Sequence, residues 1–158
     1  MVLTAGDTAP PFELPDADGQ SVQLADLQGK WVVLYFYPRD NTPGCTKEAC
    51  GFRDAYAEYQ SSDVVVLGVS TDDAKSHTKF ATKYELPFPL LVDEGGAIAE
   101  QYGSYGLKKF MGKEYMGITR STFIIAPDGT LAKVYRKVKP EPHAQEVLKD
   151  IAELAADA

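Results

Sequence analysis

Cysteine and histidine are scarce in this 158-residue chain, which holds two of each, and basic residues are outnumbered by acidic ones, 16 to 23. Two cysteines are too few for a disulfide scaffold, and a chain of this length with 44% hydrophobic residues can fold around its own core without one. The shortage of ligands disfavours zinc, which takes four at close spacings, because His77 and His143 stand alone and far from Cys45 and Cys50. No metal or other cofactor is expected. The formal charge of −7 argues against binding a phosphate backbone, which needs a basic surface, so nucleic acid is not an expected partner. A membrane is not expected either. The longest apolar run, Trp31 to Tyr37, is far too short to cross a bilayer, and the N-terminal stretch lacks a basic segment followed by an apolar one. The expected compartment is the cytoplasm, where thiols stay reduced.

What is present reads as one domain over 1–158, with no linker, repeat or low-complexity tract. Phe12 to Leu14 and Ser21 to Leu24 flank the turn signal PDADGQ and predict an N-terminal hairpin. WVVLYFY (Trp31 to Tyr37) and VVVLGVS (Val64 to Ser70) are continuous β-branched and aromatic runs, the pattern of strands buried on both faces. Between them Cys45, Ala49, Phe52, Tyr56 and Tyr59 recur at steps of three and four, predicting one amphipathic helix from Cys45 to Tyr59. Further helices are expected over Asp73 to Tyr84, Gly96 to Tyr102 and Ala144 to Ala156. A short strand near Leu90 to Val92 and a hairpin of STFIIA and LAKVYR complete the pattern. This order is that of an α/β, thioredoxin-like fold: a central mixed sheet flanked by helices, extended by the N-terminal hairpin.

The two cysteines lie five positions apart in YPRDNTPGCTKEAC, where a strand gives way to a helix. Thr42 suits the N-cap and Pro43 the first helical position, where a missing N–H costs nothing. Cys45 then falls in the first turn, near unpaired N–H groups and the positive end of the helix dipole, surroundings that favour a thiolate. The Thr42 hydroxyl and the Gly44 and Cys45 N–H groups are the local donors for a substrate, and a guanidinium could add more. Residues five apart on a helix point roughly 140° away from each other with Cα atoms about 8.7 Å apart, beyond the roughly 7 Å limit for a disulfide. The pair can bond only if the first turns unwind, which makes it a redox switch rather than a staple. Cys45 lies on the core-facing stripe and Cys50 near the polar side, with Arg53 and Asp54.

At these residues the sequence resembles the peroxiredoxin family, specifically its Q-type subgroup, also called bacterioferritin comigratory protein. Pro38, Thr42 and Cys45 form the pattern P-x-x-x-T-x-x-C, the second cysteine follows five residues on, and KEYMGITRSTFIIAPDG matches the family segment that carries an arginine, here Arg120. The resemblance extends over nearly the whole chain. It implies that Cys45 is the peroxidatic thiolate, becoming a sulfenic acid, and that Cys50 is the resolving thiol that closes an intramolecular disulfide. It further implies that Thr42 hydrogen-bonds peroxide and thiolate, that Arg120 stabilises charge on sulfur and leaving oxygen, and that Pro38 shapes and shields the pocket. The implied substrates are hydrogen peroxide and organic hydroperoxides, the implied reductant is thioredoxin or a similar dithiol, and the implied state is a monomer.

Other functions compete with this one. A thioredoxin-like disulfide reductase normally carries C-x-x-C, against C-x-x-x-x-C here, and a non-enzymatic redox sensor would consume peroxide slowly. Spacing alone makes Arg120 an ordinary surface charge, with Arg39 beside Pro38 as the rival guanidinium. Thr42 has a purely structural alternative, capping the helix. Glu48, one turn beyond Cys45, reads as a solvated helix charge, with positioning the pair as the alternative. Leu107 to Gly117 reads as either an exposed loop or an apolar wall beside the pocket, and both histidines read as structural.

Overall fold

The protein is described here by a computed structural model covering residues 3–156. In chain order its elements are β1 (Glu13–Pro15), β2 (Ser21–Gln23), β3 (Trp31–Phe36), α1 (Pro43–Asp54), α2 (Tyr56–Ser61), β4 (Val64–Ser70), α3 (Ala74–Tyr84) and β5 (Leu90–Val92). They continue with α4 (Ala97–Gln101), β6 (Tyr105–Phe110), β7 (Lys113–Ile118), β8 (Ser121–Ile125), β9 (Leu131–Tyr135) and α5 (His143–Ala156). Two short 3-10 helices, Leu24–Leu27 and Glu94–Gly96, fill connections.

The apolar run of β3 lies at the centre of a five-stranded sheet in the order β5-β4-β3-β8-β9. β3 pairs parallel with β4 and antiparallel with β8, so the sheet is mixed and of thioredoxin-like plan. Side chains alternate across a strand, and here both faces are covered. Val33, Tyr35 and Tyr37 meet Cys45, Phe52 and Phe80 on one side. Val32, Leu34 and Phe36 meet Tyr102, Phe123 and Phe12 on the other. Double burial is why β3 is apolar at every position. Phe52 shows what fixes α1 to the sheet: it is wholly buried and its ring lies 4.9 Å from that of Tyr35. Burying a side chain of this size contributes about 2–3 kcal/mol, so Phe52→Ala would loosen the helix that carries both cysteines.

Three local expectations change. The helix expected from Cys45 to Tyr59 breaks at Ala55 (φ −94°, ψ 1°) into α1 and α2. Beyond the break Tyr59 stays fully buried and donates its hydroxyl to the Ala144 carbonyl, which ties α2 to α5. Leu107 to Gly117 is no loop but most of the β6–β7 hairpin. Met111 (φ 52°) and Gly112 (φ 78°) form its two-residue connection, and two left-handed residues match the twist of a tight hairpin. The N-terminal hairpin begins one residue later than expected, at Glu13.

Candidate active site

The site begins where β3 ends. Residues 38–42 connect β3 to α1, with Asn41 in the left-handed region, which asparagine enters more readily than most residues. Thr42 is extended (φ −100°, ψ 156°) at the N-cap and Pro43 opens α1. Gly44 and Cys45 are therefore the second and third helical residues, whose N–H groups have no acceptor within the helix. Thr42 holds the capping position without capping: its hydroxyl donates to the Arg39 carbonyl at 3.1 Å, and no side-chain cap bond is made. The structural alternative of capping is therefore not what occupies this hydroxyl: its one hydrogen is engaged on Arg39, and its lone pairs are left for a substrate donor.

Cys45 points inward, 2% exposed, on the stripe with Ala49 and Phe52. Arg120, reached from the start of β8, crosses to meet it: Nη2 donates to Cys45 Sγ at 3.3 Å and Nη1 to Glu48 Oε1 at 2.6 Å. Of the two rival guanidiniums, the one on the sulfur is thus Arg120, and the Arg39 side chain is exposed. Gly44 makes the approach possible, because a Cβ there would sit 3.0 Å from Arg120 Nη2. Pro38 is half-buried immediately after Tyr37. Cys50 is partly exposed farther along the unbroken α1, and both thiols are free.

Glu48 is the residue that sequence reasoning misjudged. It is wholly buried. Burial pushes its carboxyl up to about 7, against the opposing charge and hydrogen bond of Arg120. Its Oε2 is buried without a hydrogen-bond partner among the described residues, as is the Tyr35 hydroxyl. The signal was present: Glu48 is three residues after Cys45 and four before Phe52, which places it on the buried stripe.

Chemically, this arrangement sets a thiol among three sources of positive potential. The guanidinium, the Gly44 and Cys45 N–H groups and the helix dipole all stabilise negative charge at the sulfur or on an atom reacting beside it. An apolar hollow of about 280 Å³ lined by Leu24, Leu27, Val32 and Ile125 lies elsewhere, and Cys45 is not part of its wall.

The AhpC/TSA family model matches residues 5–134. The chain is 48% identical over 155 residues to Peroxiredoxin Bcp of Bacillus subtilis, covering 98% of this chain and 99% of that protein. Its fold matches PrxQ of Xylella fastidiosa with a TM-score of 0.91 at 33% identity over 98% of each chain. It matches the bacterioferritin comigratory protein of Xanthomonas campestris with a TM-score of 0.88 at 35% identity, over 97% of this chain and 96% of that one. The Xanthomonas structures were solved as trapped intermediate and ligand complexes bearing on alkyl peroxide reduction.

Proposed function

We infer the function from the premise that the chain belongs to the AhpC/TSA family, as a peroxiredoxin of the Bcp or Q type and hence a thiol peroxidase. In the reading we propose, the Cys45 thiolate attacks the terminal oxygen of hydrogen peroxide or an organic hydroperoxide. The O–O bond breaks, sulfur gives up two electrons and becomes a sulfenic acid, and the departing oxygen takes a proton to leave as water or an alcohol. The observation that carries this is the 3.3 Å contact from Arg120 Nη2 to Cys45 Sγ, with the same guanidinium anchored on Glu48. A donor fixed at the sulfur stabilises the thiolate first and the charge on the leaving oxygen next, which is where electrostatic preorganisation acts. The Gly44 and Cys45 N–H groups and the Thr42 hydroxyl orient the peroxide, and Pro38 screens the pocket from water.

The first turn of α1 then unwinds, Cys50 attacks the sulfenic sulfur, and water leaves as the disulfide closes. A dithiol protein such as thioredoxin restores both thiols by exchange. No helix among the described residues is long and apolar enough to cross a membrane, and the working enzyme in this reading is a cytoplasmic monomer.

Rapid mixing of the reduced protein with one equivalent of hydrogen peroxide, followed by Trp31 fluorescence and thiol counting, tests the scheme. Wild type should lose both thiols, Cys50→Ser should stop at the sulfenic acid, and Cys45→Ser should be inert. Consumption no faster than that of a free thiol would reject the peroxidase, and a Cys50→Ser variant that turns over with thioredoxin as fast as wild type would reject Cys50 as resolver.

A further inference from the structure

The loop that shapes the pocket is fastened to α3 by a buried cluster that peroxide chemistry does not use. Asp40 is 8% exposed, and its carboxylate is fully engaged. Oδ1 accepts from the Tyr37 hydroxyl at 2.5 Å, and Oδ2 accepts from Ser76 Oγ at 2.8 Å and lies 2.6 Å from His77 Nδ1. The Asp40 N–H donates to Asp72 Oδ2 at 2.7 Å, which also accepts from Ser70 Oγ. One residue on, the Asn41 side-chain carbonyl accepts from the Tyr84 hydroxyl at 3.1 Å. Asp72 in the β4–α3 connection and both ends of α3 thus hold two consecutive loop residues.

His77 is wholly buried, and its Nε2 lies 2.8 Å from the Leu91 carbonyl oxygen. A carbonyl only accepts, so Nε2 carries hydrogen, while Nδ1 faces a carboxylate. The groups around the ring are Tyr37 at the end of β3, Asp40 in the loop, Asp72 before α3, Ser76 on α3 and the Leu91 carbonyl on β5. Lys79 and Lys83 line the neighbouring hollow with exposed side chains. Burial alone would lower the affinity of His77 for its second proton. The hydrogen bond and charge of Asp40, the Leu91 carbonyl and the charge of Asp72 reverse that, and the net shift is upward. Asp40, Asp72 and His77 bring potential ligand atoms within 4.8 Å of one another. The 2.6 Å approach of Nδ1 to Oδ2 is, however, a direct hydrogen bond, and Asp72 Oδ2 already takes two donors.

We propose that Asp40 and an imidazolium at His77 clamp the upstream edge of the Cys45 pocket, with His77 as a positioning residue that confines the redox unwinding to the chain beyond Asn41. The inference rests on the reading of Cys45 and Cys50 given above. The contrast along the chain supports it: α1 starts with no side-chain cap bond and with a proline that has no N–H, whereas the two residues before Thr42 are tied to both ends of α3 and to Asp72 just before it. Thr42 stands two residues from Asp40. A displacement of about 1 Å at a reacting centre can slow a reaction by up to about a hundredfold, so releasing the clamp should slow peroxide attack roughly tenfold. Because His77 holds its proton more tightly than a free imidazole, the clamp is complete below about pH 6.5 and is lost as pH rises through the higher folded value.

The test joins nitrogen-15 imidazole spectra of the reduced protein to stopped-flow peroxide rates for wild type, Asp40→Asn, His77→Gln and the double variant. Asp40→Asn retains acceptor and shape, so it keeps the variant series interpretable if His77→Gln folds poorly. Expected are both His77 nitrogens protonated at pH 6, an alkaline fall in the wild-type rate that the variants lack, and a double variant no slower than either single one. A neutral His77 at pH 6, rate profiles that superimpose across the series, or movement of the His77 signals on adding zinc chloride would each overturn the clamp. Failure of the underlying reading is separately visible: a wild type inert to peroxide sinks the peroxidase, while the imidazole spectra still judge the clamp.

Discussion

Two buried acid–base clusters, one on the loop of residues 38–42 and one on α1 just after it, differ in how completely they are satisfied. Asp40 uses both carboxylate oxygens on Tyr37, Ser76 and His77. Glu48 uses one oxygen on Arg120 and leaves the other buried without a partner among the described residues. The second Glu48 oxygen thus has no donor from the described residues, whereas each Asp40 oxygen has at least one. The difference teaches where the fold is rigid and where it is held ready. A saturated network fixes backbone, whereas an unsaturated one keeps donors and acceptors free to respond when charge moves at the sulfur.

The largest expected effect comes from breaking the unsaturated cluster at its bridge. Arg120→Met removes the donor at 3.3 Å from Cys45 Sγ and leaves Glu48 buried without its cation. Loss of one preorganised donor at a reacting centre slows reaction by about 100- to 1,000-fold, and the second-order rate with hydrogen peroxide measures it. Arg120→Lys should recover little, because an ammonium cannot span sulfur and carboxylate as the guanidinium fork does. A rate within threefold of wild type in either variant would show that the bridge is structural.

Next in size is Gly44→Ala, which leaves every charged group in place and moves only the bridge. The new methyl would stand 3.0 Å from Arg120 Nη2, with the Pro140 ring 3.7 Å away. The guanidinium must shift by a few tenths of an ångström, and it is the sulfur-facing nitrogen that moves. The rate should fall roughly tenfold through misplacement, with thermal stability nearly unchanged since alanine suits a helix better than glycine. An unchanged rate would mean that Arg120 finds an equivalent position.

The sequence made the framework readable where one period dominated. β3 and β4 are nearly continuous apolar runs because both their faces are covered, and Asp73, the expected first residue of α3, is its N-cap and accepts from the Ser76 N–H. Pro43 likewise marked the start of α1 and so the depth of Cys45. What stayed hidden depends on pairs distant in sequence. Glu48 meets Arg120 from 72 residues away and Asp40 meets His77 from 37, and no local pattern carries either choice. The β6–β7 hairpin escaped notice for a different reason: Leu107, Tyr115 and Met116 are solvent-exposed, so hydrophobicity and burial do not alternate together. The break at Ala55 is set by tertiary docking of Tyr59 on α5, which leaves no mark in the helical stripe.

The smallest effect on rate, and the most direct comparison of the two clusters, comes from Glu48→Gln. The amide keeps an acceptor for Arg120 Nη1 and removes the titration. In the folded protein the Glu48 carboxyl is pushed up to about 7 by burial, while the unfolded chain releases the proton near the ordinary value of about 4.3. The folded state therefore binds more protons across that interval. Its contribution to stability is complete below about pH 4 and declines as pH rises through 7. The difference is on the order of 3 kcal/mol, and urea unfolding of the reduced protein from pH 4 to pH 8 should show wild type losing that much relative to Glu48→Gln, nearly all of it below pH 7. His77, with its proton also held more tightly when folded, adds a decline that both proteins share. Parallel curves for the two proteins would mean that Glu48 is an ordinary ion-paired carboxylate, and the contrast between a saturated and an unsaturated cluster would collapse. Divergence through pH 7 would show that the buried acid beneath Arg120 exchanges a proton within the working range, so that the positive charge presented to Cys45 is itself adjusted by pH.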